Sequence, residues 1–249
     1  MNIPQYLQRI DYAGPLDPTF EVLSQLQLAQ LLTVPFENLD IYEKIKINLD
    51  DLFDKVVTRR RGGFCYELNG LFYELLKEIG FTVKMISARV YTHKKDYSPE
   101  FDHMAIIALI QEVSYLVDVG FGEFAFSPVN IKLNSVTSDP RGLFRIDPYD
   151  ETHKIVSKKK AEGAFVPEYM FSEKERHINE FYDRCLFHQT SLDSHFTQNR
   201  ICSLPTKNGR ITLAGNIVKI TENGTVTERH LHTEEEVRQE LWNYFGIQL

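Results

Sequence analysis

Apolar side chains recur at helical spacing in two segments of the first third of the chain. The range 19–34 carries a broad apolar stripe, and Pro35 then ends it, because the residue before a proline disfavours helical backbone. The range 64–79 carries a continuous apolar face, and Gly80 after it is a typical stop signal. These two patterns predict two helices, each with one face against a core.

The pattern changes to that of β-strands in the middle of the chain. Three ranges are rich in β-branched and apolar residues: 81–91, 104–110 and 115–119. Residues 111–114 have the character of a hairpin connection, and 143–146 is a further candidate strand. The middle of the chain therefore predicts a sheet in which consecutive strands run antiparallel.

Helix and strand signals are mixed in the last third. The predicted elements there are a helix at 179–189 and strands at 210–213 and 217–221. Asn223-Gly224 is a tight-hairpin signal, and Thr233 with Glu236 forms a capping box that opens a final helix. Neither an internal repeat nor a long linker interrupts this order, which predicts an α+β protein of closely packed parts.

The composition is that of a soluble globular protein. Of the 249 residues, 43% are hydrophobic and 25% are charged, which excludes a disordered chain, a collagen and a coiled coil. The net charge of −7 disfavours a nucleic-acid partner, since such proteins usually carry a basic surplus. No run of 18 apolar residues indicates a membrane span, and the N-terminus has no export pattern. Three cysteines, an odd number, indicate a cytoplasmic protein with at least one free thiol.

Two glycines directly precede a cysteine at the start of the second predicted helix. Gly62 and Gly63 allow the backbone to turn tightly and to approach a ligand, and Cys65 follows in the first helical turn. The unpaired N–H groups and the positive end of the helix dipole favour a thiolate there and could stabilise an oxyanion. We therefore expect Cys65 to have a lowered pKa and to act as a nucleophile. The alternative is a small apolar residue buried in the core.

A cysteine nucleophile needs a base, and His103 is the best placed of the eight histidines. It stands directly before the apolar run 104–110, at the mouth of a buried strand. The alternative for His103 is a structural residue with its hydrogen bonds satisfied. His230 and His232 could share one face of a strand as a metal pair, but no third ligand is evident. The remaining histidines lie in polar or mixed surroundings and are expected to be solvated: His93, His153, His177, His188 and His195.

An aspartate inside an apolar strand is costly unless a partner satisfies it, and Asp118 is such a residue. It lies across the predicted hairpin from His103, so adjacent antiparallel strands could bring the two side chains together. Asp118 would then orient and stabilise the imidazole as the third member of a triad. The alternative is a strand-end aspartate that caps the turn formed by Gly120, Phe121 and Gly122, called the GFG turn below.

These motifs together resemble the arylamine N-acetyltransferase family. The matching segments, in family order, are VPFENLDI (34–41), RGGFCYELN (61–69), HMAIIAL (103–109), VDVGFG (117–122) and SHFTQNRICSLPTKNGRITL (194–213). The resemblance implies a helical bundle over 1–85, a β-barrel over 86–190 and an α/β lid over 191–249, around a cysteine-protease-like catalytic core. It also implies that Cys65, His103 and Asp118 form the catalytic triad.

The reaction implied by the resemblance is ping-pong acetyl transfer in xenobiotic metabolism. Acetyl-CoA, as the acyl-donor substrate, acylates Cys65; coenzyme A leaves; and an arylamine, hydrazine or arylhydroxylamine takes the acetyl group. An aromatic amine is a weak base and largely neutral at pH 7, so His103 can take its proton as the new bond forms. From the residues themselves, we expect no metal, no nucleic-acid partner and no membrane partner.

Further positions gain roles from the same resemblance. The resemblance implies that four residues bind substrate: Phe36, Gly120, Phe121 and Phe196. For Phe36, the alternative is ordinary packing in the core. Glu37 and Arg61 are expected to pair and to fix the cysteine loop, since one buried charge demands another. The remaining basic residues of the runs 59–61 and 158–160 are most simply solvated.

Three further features bear on the binding of coenzyme A and on the size of the lid. Lys207 and Arg210 could meet the phosphates of coenzyme A, although a solvated hairpin is the simpler interpretation. Prokaryotic family members commonly carry threonine before the histidine, whereas this chain has Asp102, which could repel those phosphates or raise the pKa of His103. The C-terminus is also short for the family, so we expect a trimmed lid.

Two other classes of function use the same features. The triad would equally serve a hydrolase or a transglutaminase-type acyl transferase, and the scaffold alone would serve a non-catalytic binding protein. The intact Cys65, His103 and Asp118 argue against the binding protein, and the GFG turn with Phe36 favours the acetyltransferase. The sequence selects neither the acceptor amine nor the oligomeric state.

Overall fold

The computed structural model describes residues 1–42, 48, 51–92, 94 and 96–249. Its helices are α1 (Ile3–Arg9), α2 (Phe20–Thr33), α3 (Leu39–Tyr42), α4 (Cys65–Glu78), α5 (Tyr182–Thr190), α6 (His195–Gln198) and α7 (Glu234–Phe245). A π-helical segment covers Asp54–Thr58 and a 3-10 helix covers Ile178–Phe181. The strands are β1 (Phe36–Glu37), β2 (Thr82–Val90), β3 (His103–Ile110), β4 (Val113–Val117), β5 (Val129–Asn130), β6 (Val136–Asp139), β7 (Gly142–Pro148), β8 (His153–Lys159), β9 (Phe165–Ser172), β10 (Ile201–Thr206), β11 (Gly209–Ala214), β12 (Ile217–Glu222) and β13 (Thr225–His230).

The helices of the first third begin and end where local chemistry directs them. The Thr19 hydroxyl accepts a hydrogen bond from the Val22 N–H at 3.3 Å and so caps the start of α2. Val34 adopts an extended conformation before Pro35, which ends the helix. Both helices predicted for this third are confirmed, and α4 lies at the centre of the largest apolar core. The sequence patterns did not predict α1.

Eight strands form one sheet in the order β5-β4-β3-β2-β9-β8-β7-β6. Strand β3 is buried on both faces, because Met104 and Ile106 face the core of α4 while Ala105 and Ile107 face a second core inside the sheet. Strands β5 and β6 lie at opposite edges of this sheet, yet they follow each other closely along the chain. The short connection keeps the two edges near each other, so the sheet curls into a nearly closed barrel. The hairpin predicted at 111–114 turns at Gln111 and Glu112, both in left-handed backbone conformations.

A second sheet has the order β1-β10-β11-β12-β13, and α7 packs on it around a third apolar core. Strand β1 is the segment at Phe36, so this sheet joins the first third of the chain to the last. The Thr233 hydroxyl accepts from the Glu236 N–H and so caps the start of α7, as predicted. The reciprocal half of the predicted capping box differs, because the Glu236 carboxylate accepts the N–H of His232 rather than that of Thr233. The fold is thus a mixed α/β arrangement with two antiparallel sheets.

Several details correct the sequence predictions. His232 lies beyond the end of β13 and does not share a strand face with His230. His188 is buried rather than solvated, whereas His177 and His195 are exposed and His153 is half-buried; His93 lies outside the described residues. The division of the chain at 85/86 and at 190/191 stays a prediction; β2 runs across the first position, and α5 ends at the second. In the described ranges, no helix is both long and apolar enough to cross a membrane.

Candidate active site

The cysteine loop is held by close contact between backbones. The Glu37 N–H donates to the Gly63 carbonyl at 2.9 Å, which ties the loop to β1. A Cβ at Gly62 would lie 2.0 Å from the Pro35 carbonyl oxygen, so only glycine fits there. This approach sets Cys65 as the first residue of α4, with 5% of its surface exposed.

A buried network of charges lies behind the cysteine loop. The predicted pair is present, with Arg61 Nη2 at 2.9 Å from Glu37 Oε1, and Arg61 also reaches Asp40 at 2.8 Å. Lys55 Nζ lies 2.7 Å from both Asp40 and Glu67. Burial raises the pKa of Glu67 to about 7, even though Lys55 opposes the shift. These contacts cross-link the loop to the start of α4, because Glu67 also accepts the Phe64 N–H at 3.0 Å.

His103 and Asp118 form a buried pair. His103 Nε2 lies 2.7 Å from Asp118 Oδ2, and the two side chains are 2% and 0% exposed. They come together because β3 and β4 are antiparallel neighbours, with Asp118 directly after the last residue of β4. Since the carboxylate accepts, Nε2 carries the hydrogen, and Nδ1 is the nitrogen left for chemistry.

Three further donors hold the Asp118 carboxylate. Asn69 Nδ2 donates to Oδ1 at 3.0 Å, the Gly120 N–H donates to Oδ1 at 2.9 Å, and the Tyr169 hydroxyl donates to Oδ2 at 3.0 Å. Asp118 therefore bonds His103 and also caps the GFG turn, so the two interpretations of this residue describe one geometry. All three extra donors are neutral, which leaves the imidazole as the group that can place a positive charge beside Asp118.

The GFG turn packs directly on the cysteine. A Cβ at Gly120 would lie 2.7 Å from Cys65 Cα and 2.8 Å from Asn69 Nδ2, whereas one at Gly122 would meet nothing within 4 Å. Close packing therefore requires glycine at position 120, where it permits contact with Cys65, whereas position 122 faces open space. Phe121 turns its ring edge to the His103 ring, with 5.1 Å between centroids.

A cavity of about 340 Å³ opens onto these side chains. Its lining is Phe36, Cys65, Val90, Asp102, His103, Gly120, Phe121, Gly122, His188, His195 and Phe196. The structure thus brings Cys65, His103 and all four residues predicted for substrate binding to one cavity. Asp118 lies behind His103, and Glu37 and Arg61 lie behind the cysteine loop. Because three phenylalanines form its walls, the cavity, named the reaction cavity below, suits a flat aromatic molecule.

The pKa of Cys65 is shifted opposite to the direction expected from its helix position. Burial raises the pKa of the thiol well above its ordinary value; the Met104 N–H partly offsets this, while Asp102 and Asp118 add to it. A lone buried thiolate is therefore unfavourable at this place. The thiolate becomes favourable only together with a neighbouring cation, and the imidazolium of His103 is the group that can provide one.

Asp102 does not present a free charge toward His103. Its Oδ1 lies 2.5 Å from Arg184 Nη2 and 2.9 Å from His188 Nε2. Although burial alone would raise the pKa of Asp102, the hydrogen bond and charge of His188, with Arg184, lower it to about 2. The charge of Asp102 is thus balanced within the protein by Arg184, and His188 Nε2 donates a second hydrogen bond to the same carboxylate.

Sequence reasoning missed Asn69, Tyr169 and His188. Asn69 lies one helical turn after Cys65, so helical spacing alone placed it on the same face. Tyr169 comes from β9, 51 residues from Asp118, and no local signal pointed to it. His188 borders the reaction cavity from α5 and packs on the Phe196 ring at 5.2 Å between centroids.

The arrangement offers a thiol, a base and an orienting carboxylate in one buried row. Cys65 and His103 line the same cavity, and Asp118 fixes the imidazole from behind. Such a row can pass an acyl group through a thioester, with the histidine moving the proton at each step. All three cysteines are free and buried, so Cys65 is distinguished by the cavity and not by being a thiol.

Comparison with known proteins gives concordant matches over the chain. A family model described as N-acetyltransferase matches residues 19–249. A pineal gland isozyme of arylamine N-acetyltransferase from Gallus gallus is 32% identical over 279 residues, covering 100% of this chain and 95% of that protein. Arylamine N-acetyltransferase 1 from Homo sapiens is 31% identical over 277 residues, with the same coverage.

Solved structures agree with the sequence matches. The arylamine N-acetyltransferase from M. tuberculosis superposes with a TM-score of 0.90 at 27% identity, covering 99% of this chain and 94% of that one. An arylamine N-acetyltransferase from Bacillus cereus superposes with a TM-score of 0.90 at 28% identity over 100% of both chains, and it is described as having a unique Cys-His-Glu catalytic triad.

Proposed function

Because this chain belongs to the arylamine N-acetyltransferase family, we propose that it transfers an acetyl group from acetyl-CoA to an aromatic amine, a hydrazine or an arylhydroxylamine through a Cys65 thioester. The observation that carries the assignment of residues is the 2.7 Å pair of His103 and Asp118 on the cavity that Cys65 also lines. The Bacillus cereus relative is described with glutamate as the third member of its triad, and here that role falls to Asp118.

The first half of the reaction loads the cysteine. His103 Nδ1 takes the thiol proton, which creates the thiolate and its counter-ion together, and Asp118 stabilises the imidazolium through Nε2. The thiolate attacks the thioester carbonyl, and the N-terminal end of α4 favours the developing negative oxygen. The bond to the coenzyme A sulfur then breaks, and His103 returns its proton to the leaving thiolate.

The second half passes the acetyl group to the acceptor. A neutral aromatic amine attacks the Cys65 thioester, and His103 takes a proton from the nitrogen as the new C–N bond forms. The Cys65 thiolate leaves and is paired again with the imidazolium. Phe36, Phe121 and Phe196 would hold the aromatic ring and keep water away from the acyl-enzyme, which slows hydrolysis.

The proposal extends to the domain arrangement, the location and the metabolic role of the protein. It includes a helical bundle, a barrel and a lid around a cysteine-protease-like core, a cytoplasmic location and a role in xenobiotic metabolism. The three free, buried cysteines are consistent with a reducing compartment. The apolar walls of the reaction cavity support acceptors that carry an aromatic ring.

The test of this proposal is intact-mass spectrometry with acetyl-CoA and no acceptor. We expect an adduct of about 42 Da, the mass of an acetyl group carried as an acyl-enzyme. Cys65→Ala should lose both the adduct and turnover, while Cys185→Ala, which removes another buried free thiol, should keep both.

Two outcomes would count against the proposal. An adduct that persists in Cys65→Ala would remove the nucleophile assignment. Release of acetate from acetyl-CoA without acceptor, with no transfer to any arylamine or hydrazine of a panel, would instead identify a hydrolase.

A further inference from the structure

The backbone that leads into β3 is strained two residues before His103. Phe101 has a φ of 66°, in the left-handed region, where the Cβ atom of any residue but glycine crowds a backbone carbonyl oxygen. Such a conformation persists only where surrounding contacts hold it. The strain thus lies at the entry to the strand that carries the proposed base.

Tyr66, the residue after Cys65 in α4, holds this entry from the side of the helix. Its hydroxyl lies 2.9 Å from the Phe101 carbonyl oxygen and 3.2 Å from the Asp102 carbonyl oxygen, so one donor serves both acceptors. The side chain is fully buried, and burial raises the pKa of Tyr66, so the hydroxyl keeps the proton that it donates. A single hydroxyl therefore joins the start of α4 to the strained segment.

Helix α4 holds the backbone on both sides of His103. Tyr66 binds the two carbonyl groups before it, and Asn69 Nδ2 donates to the Met104 carbonyl after it at 2.7 Å. Tyr66 and Asn69 lie three residues apart and so share one face of the helix. Because Cys65 is the first residue of the same helix, these contacts connect the backbone of the base to the element that carries the thiol.

We propose that Tyr66 is a positioning residue for acetyl transfer, because its hydroxyl holds the strained entry of β3 where His103 can reach the Cys65 thiol. This inference rests on the proposed function. Without the hydroxyl, Phe101 is free to leave the left-handed region, and the shift passes along two residues to His103. Proton transfer needs the two heavy atoms at hydrogen-bond distance, so a misplacement of about 1 Å is enough to slow the reaction.

The alternative for Tyr66 is a role in packing alone. Its ring lies against the rings of Phe64 and Phe181, with 5.1 and 5.8 Å between centroids. Tyr66→Phe keeps the ring and removes only the hydroxyl. The substitution therefore separates the two roles.

The experiment measures the acylation of Cys65 by acetyl-CoA in single-turnover reactions of the parent protein and of Tyr66→Phe. We expect the rate constant to fall by about 10- to 30-fold, the effect of a misplaced base. The acetyl-CoA concentration that gives half the maximal rate should stay unchanged, since Tyr66 does not line the reaction cavity. The pH profile of Cys65 alkylation should shift to higher pH, because the thiolate then lacks a close imidazolium.

A rescue variant tests the part played by strain. Glycine adopts the left-handed conformation without steric cost, so adding Phe101→Gly to Tyr66→Phe should raise the acylation rate constant by at least about threefold. The same change removes the contact between the Phe101 and Phe181 rings, whose centroids are 5.2 Å apart, so it should also lower stability. A packing role predicts a further loss of rate instead of a gain.

The matched control is Tyr12→Phe, which removes another tyrosine hydroxyl that donates to a backbone carbonyl, that of Pro15 at 2.7 Å, and should change neither measurement. Parent values of both in Tyr66→Phe, or a loss of rate that Phe101→Gly deepens, would overturn the inference. Loss of folding in Tyr66→Phe, seen by circular dichroism, would assign the hydroxyl to stability and overturn it as well. Failure of acetyl-CoA to acetylate Cys65 in the unaltered protein would instead refute the proposed function.

Discussion

Two of the three histidines that line the reaction cavity are each bonded to an aspartate, and the two pairs differ in what else holds the carboxylate. His103 and Asp118 are 2.7 Å apart, and His188 and Asp102 are 2.9 Å apart. Asp118 otherwise receives only neutral donors, whereas Asp102 already carries Arg184 at 2.5 Å. Arg184 is a permanent cation, so the charge of Asp102 is balanced whether or not a second cation lies beside it.

The comparison of these two pairs shows that a short distance between a histidine and an aspartate does not by itself identify a catalytic pair. The Asp118 carboxylate gains most when His103 becomes an imidazolium, which is the state that a departing thiol proton creates. Asp102 is neutralised in every state, so its pair with His188 connects β3 to α5 and supports the wall that carries Phe196. Four measurements test this contrast.

The largest expected effect comes from removing one carboxylate charge at a time. Asp118→Asn should lower kcat by about 10³- to 10⁴-fold, because the amide cannot stabilise the imidazolium and favours the wrong tautomer. Asp102→Asn should lower kcat by less than about tenfold, since Arg184 and His188 belong to the wall and not to the proton path. Steady-state kinetics on both variants, with circular dichroism as a check of folding, decide the point. Similar losses in the two variants would end the distinction between the pairs.

A smaller effect is expected from the two glycines of the GFG turn. Gly120→Ala should lower kcat by about 10²-fold, because its Cβ would collide with Cys65 Cα and displace the nucleophile. Gly122→Ala is the matched control, since its Cβ meets nothing within 4 Å. Thiol alkylation rates and kcat should fall together in the first variant and stay near the parent values in the second.

The Asp102 pair should appear in stability as a function of pH. Its pKa is lowered to about 2 in the folded protein, so its contribution is present above the unfolded pKa and is lost as pH falls toward 2. The contribution amounts to about 2 kcal/mol at pH 7 and about half of that at pH 3. Urea denaturation gives the free energy of unfolding of the parent protein and of Asp102→Asn, and the difference between the two should become smaller as the pH is lowered. A difference that became larger below pH 4 would contradict the prediction.

The smallest effect should follow loss of one neutral donor to Asp118. Tyr169→Phe removes the hydroxyl that donates to Oδ2 at 3.0 Å but leaves Asn69 and the Gly120 N–H in place. We expect kcat to fall by about five- to tenfold, the effect of a single neutral hydrogen bond. Asn69→Ala offers the comparison, since it also removes the acceptor of the Val119 N–H and should cost more.

Much of the local design follows from the sequence. Examples are the helices at 19–34 and 64–79, the hairpin at 111–114 and the helix cap at Thr233, which depend on periodicity and on hydrogen bonds between near neighbours. His103 and Asp118 are only 15 residues apart across one hairpin, so antiparallel pairing alone brought them together. Features of this kind can be predicted because the interactions that stabilise them connect residues that are close together in the sequence.

Contacts between distant segments could not be predicted in this way. Strand β1 pairs with β10 through Glu37 and Cys202, and Tyr169 reaches Asp118 from 51 residues away. Arg210 meets the Gly122 carbonyl across 88 residues. No periodicity encodes such pairings, because they depend on how separate elements pack.

By itself, then, the sequence determined where the chain turns, which cysteine begins a helix and which histidine and aspartate face each other across a hairpin. Only the tertiary structure decided how deeply Cys65 is buried, and burial reversed the expected direction of its pKa shift. It also decided that Arg184 neutralises the charge of Asp102. The reason is that hydrogen-bond patterns are local along the chain, whereas desolvation and charge balance depend on every segment that packs around a group.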